Sequence, residues 1–196
     1  MVFVAGIIGS ELAPTKSLST LPVATIVVGT ALSVIPVIRL MSIFGRKKVF
    51  LSACIYSILL IGLCIFSITK EIFFLFSFAS FCLGASVATM MQFRFAAIES
   101  VNLEQRASAT AVVLLGGLIS AFLGTEIATI GKSILETDFA GSFLLLALLF
   151  IIAFVLMIFF EPATKFKEHK EKSKRPLIDI ITQGSFIVAV SAATTG

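Results

Sequence analysis

Long, uninterrupted runs of apolar residues dominate the pattern of hydrophobic and polar positions along this chain. Five windows lack Asp, Glu, Lys and Arg over about 18 residues or more, the length at which a helix crosses the ~30 Å core of a bilayer. These windows are 17–38, 49–69, 72–93, 107–125 and 139–160. The pattern predicts an all-α integral membrane protein.

Shorter apolar stretches occupy the two ends of the chain. Residues 1–10 are too few to span a bilayer, and they lack the basic start of a signal peptide. We interpret both ends as parts of helices, although residues 1–10 could also form a short ordered stub. The predicted transmembrane segments are TM1 (1–13, partial), TM2 (17–40), TM3 (48–69), TM4 (72–98), TM5 (107–130) and TM6 (139–160). They form an N-terminal bundle, 1–161, followed by a cytoplasmic linker, 162–176, and the start of TM7, 177–196.

The composition agrees with a membrane protein, because a chain that is 58% hydrophobic and 13% charged has more apolar surface than a soluble domain can bury. Three cysteines, Cys54, Cys64 and Cys82, fall inside predicted segments, and the one histidine, His169, lies in the linker. Without clustered ligands, neither a metal site nor a cofactor is expected.

The basic residues concentrate in three connections: between TM2 and TM3, between TM4 and TM5, and after TM6. Counting Arg39, Lys48 and Arg94 at the adjoining segment ends with these connections, only Lys16, Lys70 and Lys132 lie elsewhere. The positive-inside rule therefore predicts that these three connections are cytoplasmic and that the bundle lies in the plasma or inner membrane. The same rule explains the net charge of +4 without nucleic acid as a partner.

The turn after TM2 resembles a signature of one transporter family. Gly45, Arg46 and Lys47 match the end of G-x-x-x-D-R-x-G-R-[KR], which is typical of the major facilitator superfamily. The short outer loops and the long basic linker are also similar. The remaining defined positions hold Ile38, Ser42 and Ile43 in place of Gly, Asp and Arg.

The resemblance implies a secondary transporter of a small molecule that works by alternating access, with a proton gradient as driver and a C-terminal half absent from this chain. TM5 contains Gly116, Gly117 and Gly124, similar to the glycine-rich pattern of antiporters, although Thr125 replaces its proline. These glycines are expected to let another helix approach closely.

The stretch "QFRFAAIES" places Gln92, Arg94 and Glu99 near the inner end of TM4. About 22 helical residues, roughly 33 Å, separate Ile72 from Arg94, so Arg94 lies at the membrane edge. It could line a substrate path beside Gln92, or it could anchor the helix by reaching to the interface. Both residues are candidates for substrate binding or coupling.

Glu99 has another candidate role, in a cytoplasmic gate with Gly45, Arg46 and Lys47. Because Ser42 replaces the acid of the family signature, an acid on TM4 could supply the missing carboxylate. Its possible partners are Arg39, Arg46 and Lys47.

Two alternatives to a transporter remain. A membrane-embedded enzyme needs clustered acids, yet no predicted segment has two carboxylates three or four positions apart. A structural or assembly protein that transports nothing is the other alternative. We therefore predict a transporter rather than an enzyme.

Glu126 is a third candidate for coupling. It lies roughly 28 Å from the inner end of TM5, too far toward the outside to neutralise Arg94. The pentapeptides "GSELA" and "GTEIA" place Glu11 and Glu126 at outer helix ends, either as an acidic rim or by coincidence. Replacing Glu126 by Gln is expected to change the pH dependence of transport. An unchanged profile would remove Glu126 from the proton path.

Overall fold

Helices make up most of the protein in the computed structural model, which describes residues 2–132, 134 and 139–159. They are α1 (Val2–Leu12), α2 (Leu21–Phe44), α3 (Arg46–Thr69), α4 (Phe73–Met90), α5 (Phe93–Glu99), α6 (Arg106–Gly131) and α7 (Ala140–Phe159). Short 3₁₀ turns occupy Lys16–Leu18 and Leu103–Gln105. TM4 corresponds to α4 and α5 together, TM5 to α6 and TM6 to α7. The linker, 162–176, and the start of TM7, 177–196, lie outside the described residues.

Five helical segments are long and apolar enough to cross a membrane: Lys16–Phe44, Arg46–Thr69, Phe73–Glu99, Leu103–Gly131 and Ala140–Phe159. Large apolar side chains are exposed along all of them, for example Leu59, Phe122 and Phe159 at 69%, 70% and 79%. In water such a surface would drive aggregation, whereas the acyl chains of a bilayer solvate it. The described part of the chain contains no strand, so the fold is all-α.

The connection between α2 and α3 is a single residue, Gly45, rather than the longer loop predicted for the basic stretch around it. Its amide donates to Met41 O at the end of α2, and its carbonyl accepts from the Val49 amide at the start of α3. The backbone at Gly45 has φ 84° and ψ 152°, a region open essentially to glycine alone. The basic residues on both sides of this junction therefore lie within α2 and α3, and Gly45 alone separates the two helices.

TM4 is interrupted at Met91 and Gln92, where a continuous helix was predicted. The Gln92 amide donates to Thr89 O, three residues back, and Gln92 O accepts from the Phe95 and Ala96 amides. Backbone hydrogen bonds that span three residues instead of four tighten the turn here and separate α4 from α5. The inner end of TM4 is therefore a separate short helix.

Two long helices, α2 and α4, approach each other closely at a pair of glycines. A Cβ added to Gly84 would lie 2.6 Å from the carbonyl carbon of Gly29, and one added to Gly29 would overlap the carbonyl of Phe81. Nearby, Thr25 Oγ1 donates to Ser77 O at 3.1 Å across the same interface. Small residues permit this backbone approach, and close packing is what holds helices together in lipid.

A second close approach joins α6 to α7 at the other end of the bundle from Gly45. A Cβ on Gly131 would lie 2.6 Å from the Ser142 nitrogen, and Ser142 Oγ donates to Ala128 O at 2.7 Å. Between these contacts lies the main core, where Phe76 of α4 meets Phe143 of α7 edge to face at 6.0 Å.

The α2–α4 contact yields a stability prediction. Gly84→Ala is expected to destabilise the bundle by about 1–3 kcal/mol through overpacking, which lowers the unfolding midpoint by about 2–4 °C per kcal/mol. The measurement is thermal labelling of the buried thiols of Cys54 and Cys64 with a thiol-reactive dye.

Gly62→Ala is the matched control, because a Cβ there meets nothing within 4 Å. It should leave the midpoint unchanged or raise it, since Ala is the better helix former. Equal midpoints for the two variants would contradict the close contact.

Candidate functional site

Most of the predicted gate residues lie at one end of the bundle, which we call the basic end. It contains the Gly45 junction, the turn that joins α5 to α6 and the last described turn of α7. These three chain segments are remote in sequence, so only the fold can bring their side chains together.

Arg46 and Glu99 form an ion pair across the basic end. Arg46 Nη2 donates to Glu99 Oε1 at 2.5 Å, joining the first residue of α3 to the last residue of α5. Three basic residues begin α3, where the helix dipole favours anions. The Glu99 carboxylate therefore offsets an unfavourable concentration of positive charge.

Aromatic packing holds α5 in position for this contact. The rings of Phe50 and Phe93 stack with centroids 4.3 Å apart and planes 12° from parallel. Phe50 also belongs to a small apolar cluster with Met41 of α2 and Ala88 of α4. The stack sets the start of α5 against α3, and one and a half turns later Glu99 reaches Arg46.

Lys47 makes a different contact, with the end of α7. Its Nζ donates to Ile158 O at 2.8 Å. The helix dipole favours a cation toward the C-terminal end of a helix. Adjacent basic residues of one turn thus join α3 to both α5 and α7.

The other candidate partners of Glu99 are not in contact with it. Arg39 is exposed, and Ser42 Oγ donates to Arg39 O within α2 at 2.7 Å. Arg46 Nη1 is buried and has no hydrogen-bond acceptor among the described residues. Arg46 consequently has capacity for one more acceptor beyond Glu99.

Gln92 and Arg94 lie in different surroundings. Gln92 is 9% exposed at the break between α4 and α5, whereas Arg94 is exposed, with its guanidinium 5.0 Å from the ring centroid of Phe95. The structure does not bring the two side chains into contact.

Glu126 and the α6 glycines lie away from the basic end. Glu126 is exposed on α6 and forms no ion pair with any described residue. Added Cβ atoms at Gly116, Gly117 and Gly124 would meet nothing within 4 Å. Close helix contacts in the described bundle use other glycines, so the packing role of these three stays a prediction.

Sequence reasoning missed two features of this site: the bond from Lys47 to a backbone carbonyl and the approach of Gly29 to Gly84. A carbonyl acceptor carries no side-chain signature, so the first could not be found. The second had a weak signal, because both glycines lie mid-segment, where glycine disfavours a helix unless packing requires it.

Comparison with known proteins gives a consistent family. The model of the Major Facilitator Superfamily matches residues 1–195. The riboflavin transporter RfnT of Brucella anthropi is 30% identical over 98% of this chain and 49% of its own length. The uncharacterized MFS-type transporter YdeG of Bacillus subtilis is 31% identical over 80% of this chain and 37% of its own length. The chain thus spans half or less of these relatives, and no solved structure matches it.

The ion pair can be tested with a double-mutant cycle. Arg46→Gln and Glu99→Gln are expected to couple by about 0–1 kcal/mol in thermal stability, because both side chains are partly solvated, at 30% and 59% exposed. The coupling should weaken in high salt.

A cycle between Arg39→Gln and Glu99→Gln is the control and should show no coupling. Equal coupling in both cycles would indicate a general charge effect rather than the contact seen between Arg46 and Glu99.

Proposed function

The chain belongs to the Major Facilitator Superfamily, and from this premise we propose that the whole protein is a secondary transporter of a small molecule that works by alternating access. The single observation that carries the mechanism is the Arg46–Glu99 pair. It joins separate helices at one end of the bundle, where a gate must open and close.

The strength of the contacts suits a gate. An exposed ion pair contributes about 0–1 kcal/mol, so thermal motion can break and remake it in each transport cycle. A deeply buried pair would cost several kcal/mol to separate and would hold one state. The hydrogen bond from Lys47 to Ile158 O is also exposed, so it can break and re-form in the same way.

Glu99 supplies the carboxylate that the family signature has at position 42, where this chain has Ser42. In this proposal Glu99 accepts from Arg46 in the closed gate. Arg46 Nη1, which has no acceptor among the described residues, donates to a further acceptor when the helices rearrange. Gly45 lets both helix ends meet at one residue, so that small rotations of α2 and α3 alter the pair directly.

Coupling and substrate binding are assigned to three further residues. Gln92 is buried at the TM4 break, Arg94 lies two residues further along in α5, and Glu126 is an exposed acid on α6. Ionisable residues within or beside membrane helices are costly unless they serve transport or reach water. A proton is the proposed coupling ion, with Glu126 as the group that exchanges it.

The setting completes the proposal. The basic end faces the cytoplasm under the positive-inside rule, in a plasma or inner membrane. Residues 162–176 would connect the bundle to a second half that begins with TM7 at 177–196 and that supplies the other wall of the substrate path. The partners are therefore the lipid bilayer, a small molecule and protons.

Riboflavin is the substrate that we propose, because the RfnT relative is named as a riboflavin transporter. Riboflavin is the first compound to test, since that relative aligns with nearly the entire chain.

Uptake of radiolabelled riboflavin into cells that express the whole protein tests this proposal. The unsubstituted protein is expected to raise uptake above that of empty cells. Glu99→Gln should change the rate by up to about fivefold, because it removes an interaction of at most ~1 kcal/mol. The double substitution Arg46→Glu with Glu99→Arg should restore the rate.

Glu104→Gln is the matched control, because Glu104 is exposed in the neighbouring turn and has no ion-pair partner among the described residues. It should leave uptake unchanged. No uptake by any variant would reject riboflavin as substrate, whereas uptake that is insensitive to Glu99→Gln would reject the gate.

A further inference from the structure

A cleft of about 310 Å³ opens between α2 and α3 in the half of the bundle nearest the basic end. Its apolar walls include Val37 and Leu40 of α2 and Val49 and Ala53 of α3. Ala85 of α4 lies at its base, because α4 packs against both helices while α2 and α3 diverge. The cleft is separate from the Arg46–Glu99 contact.

Every hydroxyl group in the cleft wall already has a partner within the protein. The Ser52, Tyr56 and Thr89 hydroxyls already donate to backbone carbonyls, so a polar occupant would lose its hydration with little compensation. The lining suits a hydrocarbon chain. The hydroxyl contacts are Ser52 to Val49 O (2.9 Å), Tyr56 to Cys82 O (3.1 Å), Thr89 to Ala85 O (2.8 Å) and, with Ser86 as the acceptor, Ser57 Oγ to Ser86 Oγ (2.7 Å).

A lysine lies at the mouth of the cleft. Lys48, Ser52 and Tyr56 follow one another at four-residue intervals, so they share one face of α3. Of the basic residues after Gly45, Arg46 and Lys47 have the partners described above, whereas Lys48 is exposed and has none among the described residues. Its ammonium group can therefore meet an external anion at the membrane surface.

We propose that this cleft binds one acyl chain of an anionic phospholipid, with the lipid phosphate on Lys48. Basic sites between helices at a membrane surface favour acidic lipids, and lysine can keep its charge at the interface while its stem covers apolar surface. The lipid belongs to the leaflet at the basic end. The proposal rests on insertion of the bundle in a bilayer and not on the transport activity proposed above.

Fluorescence quenching tests the site. Residues 1–196 contain no tryptophan, so Tyr56→Trp introduces one fluorescent side chain among them, in the wall of the cleft. Leu59→Trp places the matched reporter on the same helix at an exposed position outside the cleft. Each is reconstituted in phosphatidylcholine vesicles with a small fraction of acyl-brominated phosphatidylglycerol or, separately, acyl-brominated phosphatidylcholine.

In the Tyr56→Trp variant, brominated phosphatidylglycerol is expected to quench the reporter about fivefold more effectively than brominated phosphatidylcholine at the same mole fraction. In the Leu59→Trp variant the two lipids should quench equally. Lys48→Gln should remove the preference at position 56, and Lys70→Gln, at the other end of α3, should preserve it.

Retention of bound phosphatidylglycerol in native mass spectrometry, compared between the unsubstituted protein and Ala53→Phe, gives a second readout without tryptophan.

Three results would overturn the proposal. Equal quenching of the position 56 reporter by both lipids would make the cleft ordinary annular surface. No quenching at position 56 by either lipid, with normal quenching at 59, would mean that a protein segment covers the cleft. An unchanged preference in Lys48→Gln would place the lipid headgroup elsewhere. None of these outcomes depends on riboflavin uptake.

Discussion

The approach of α2 to α4 at Gly29 and Gly84 is the constraint on which the rest of the bundle depends. Apolar helices in a bilayer gain little by hiding from lipid, so backbone proximity and close packing must hold them together. No Cβ fits at either glycine without displacing backbone. Once α4 is held there, its C-terminal end positions α5. Residues near that end also line the cleft beside α3.

The basic end shows how a short turn can organise remote helices. Gly45 ends two helices in one residue, and the next two residues contact α5 and α7. Both contacts lie at helix ends: Glu99 offsets the positive charge at the start of α3, and Lys47 donates to a carbonyl near the last described residue of α7. Both are solvated enough to remain weak. The bundle therefore combines tight apolar packing in its middle with weak polar contacts at its basic end.

Much of the architecture could be predicted from the pattern of charges and apolar runs. The all-α membrane class followed from it, the family followed from the resemblance of the turn at Gly45, Arg46 and Lys47, and the family comparison agrees with both. Glu99 was predicted to meet one of three basic residues, and the structure shows it on Arg46. The choice among the three depends on the Phe50–Phe93 stack and the α5 break, and neither has a periodicity signal.

The sequence by itself determined that the chain must lie in a bilayer, because runs of uncharged residues of that length have no other stable environment. It also placed a turn between the second and third segments, and the structure narrows that turn to Gly45, whose backbone conformation is open essentially to glycine. Tertiary structure alone decided which glycines pack, leaving Gly116 and Gly117 open while Gly29 and Gly84 meet. The reason is geometric: a glycine permits close approach anywhere, but the crossing point of two helices selects the pair that uses it.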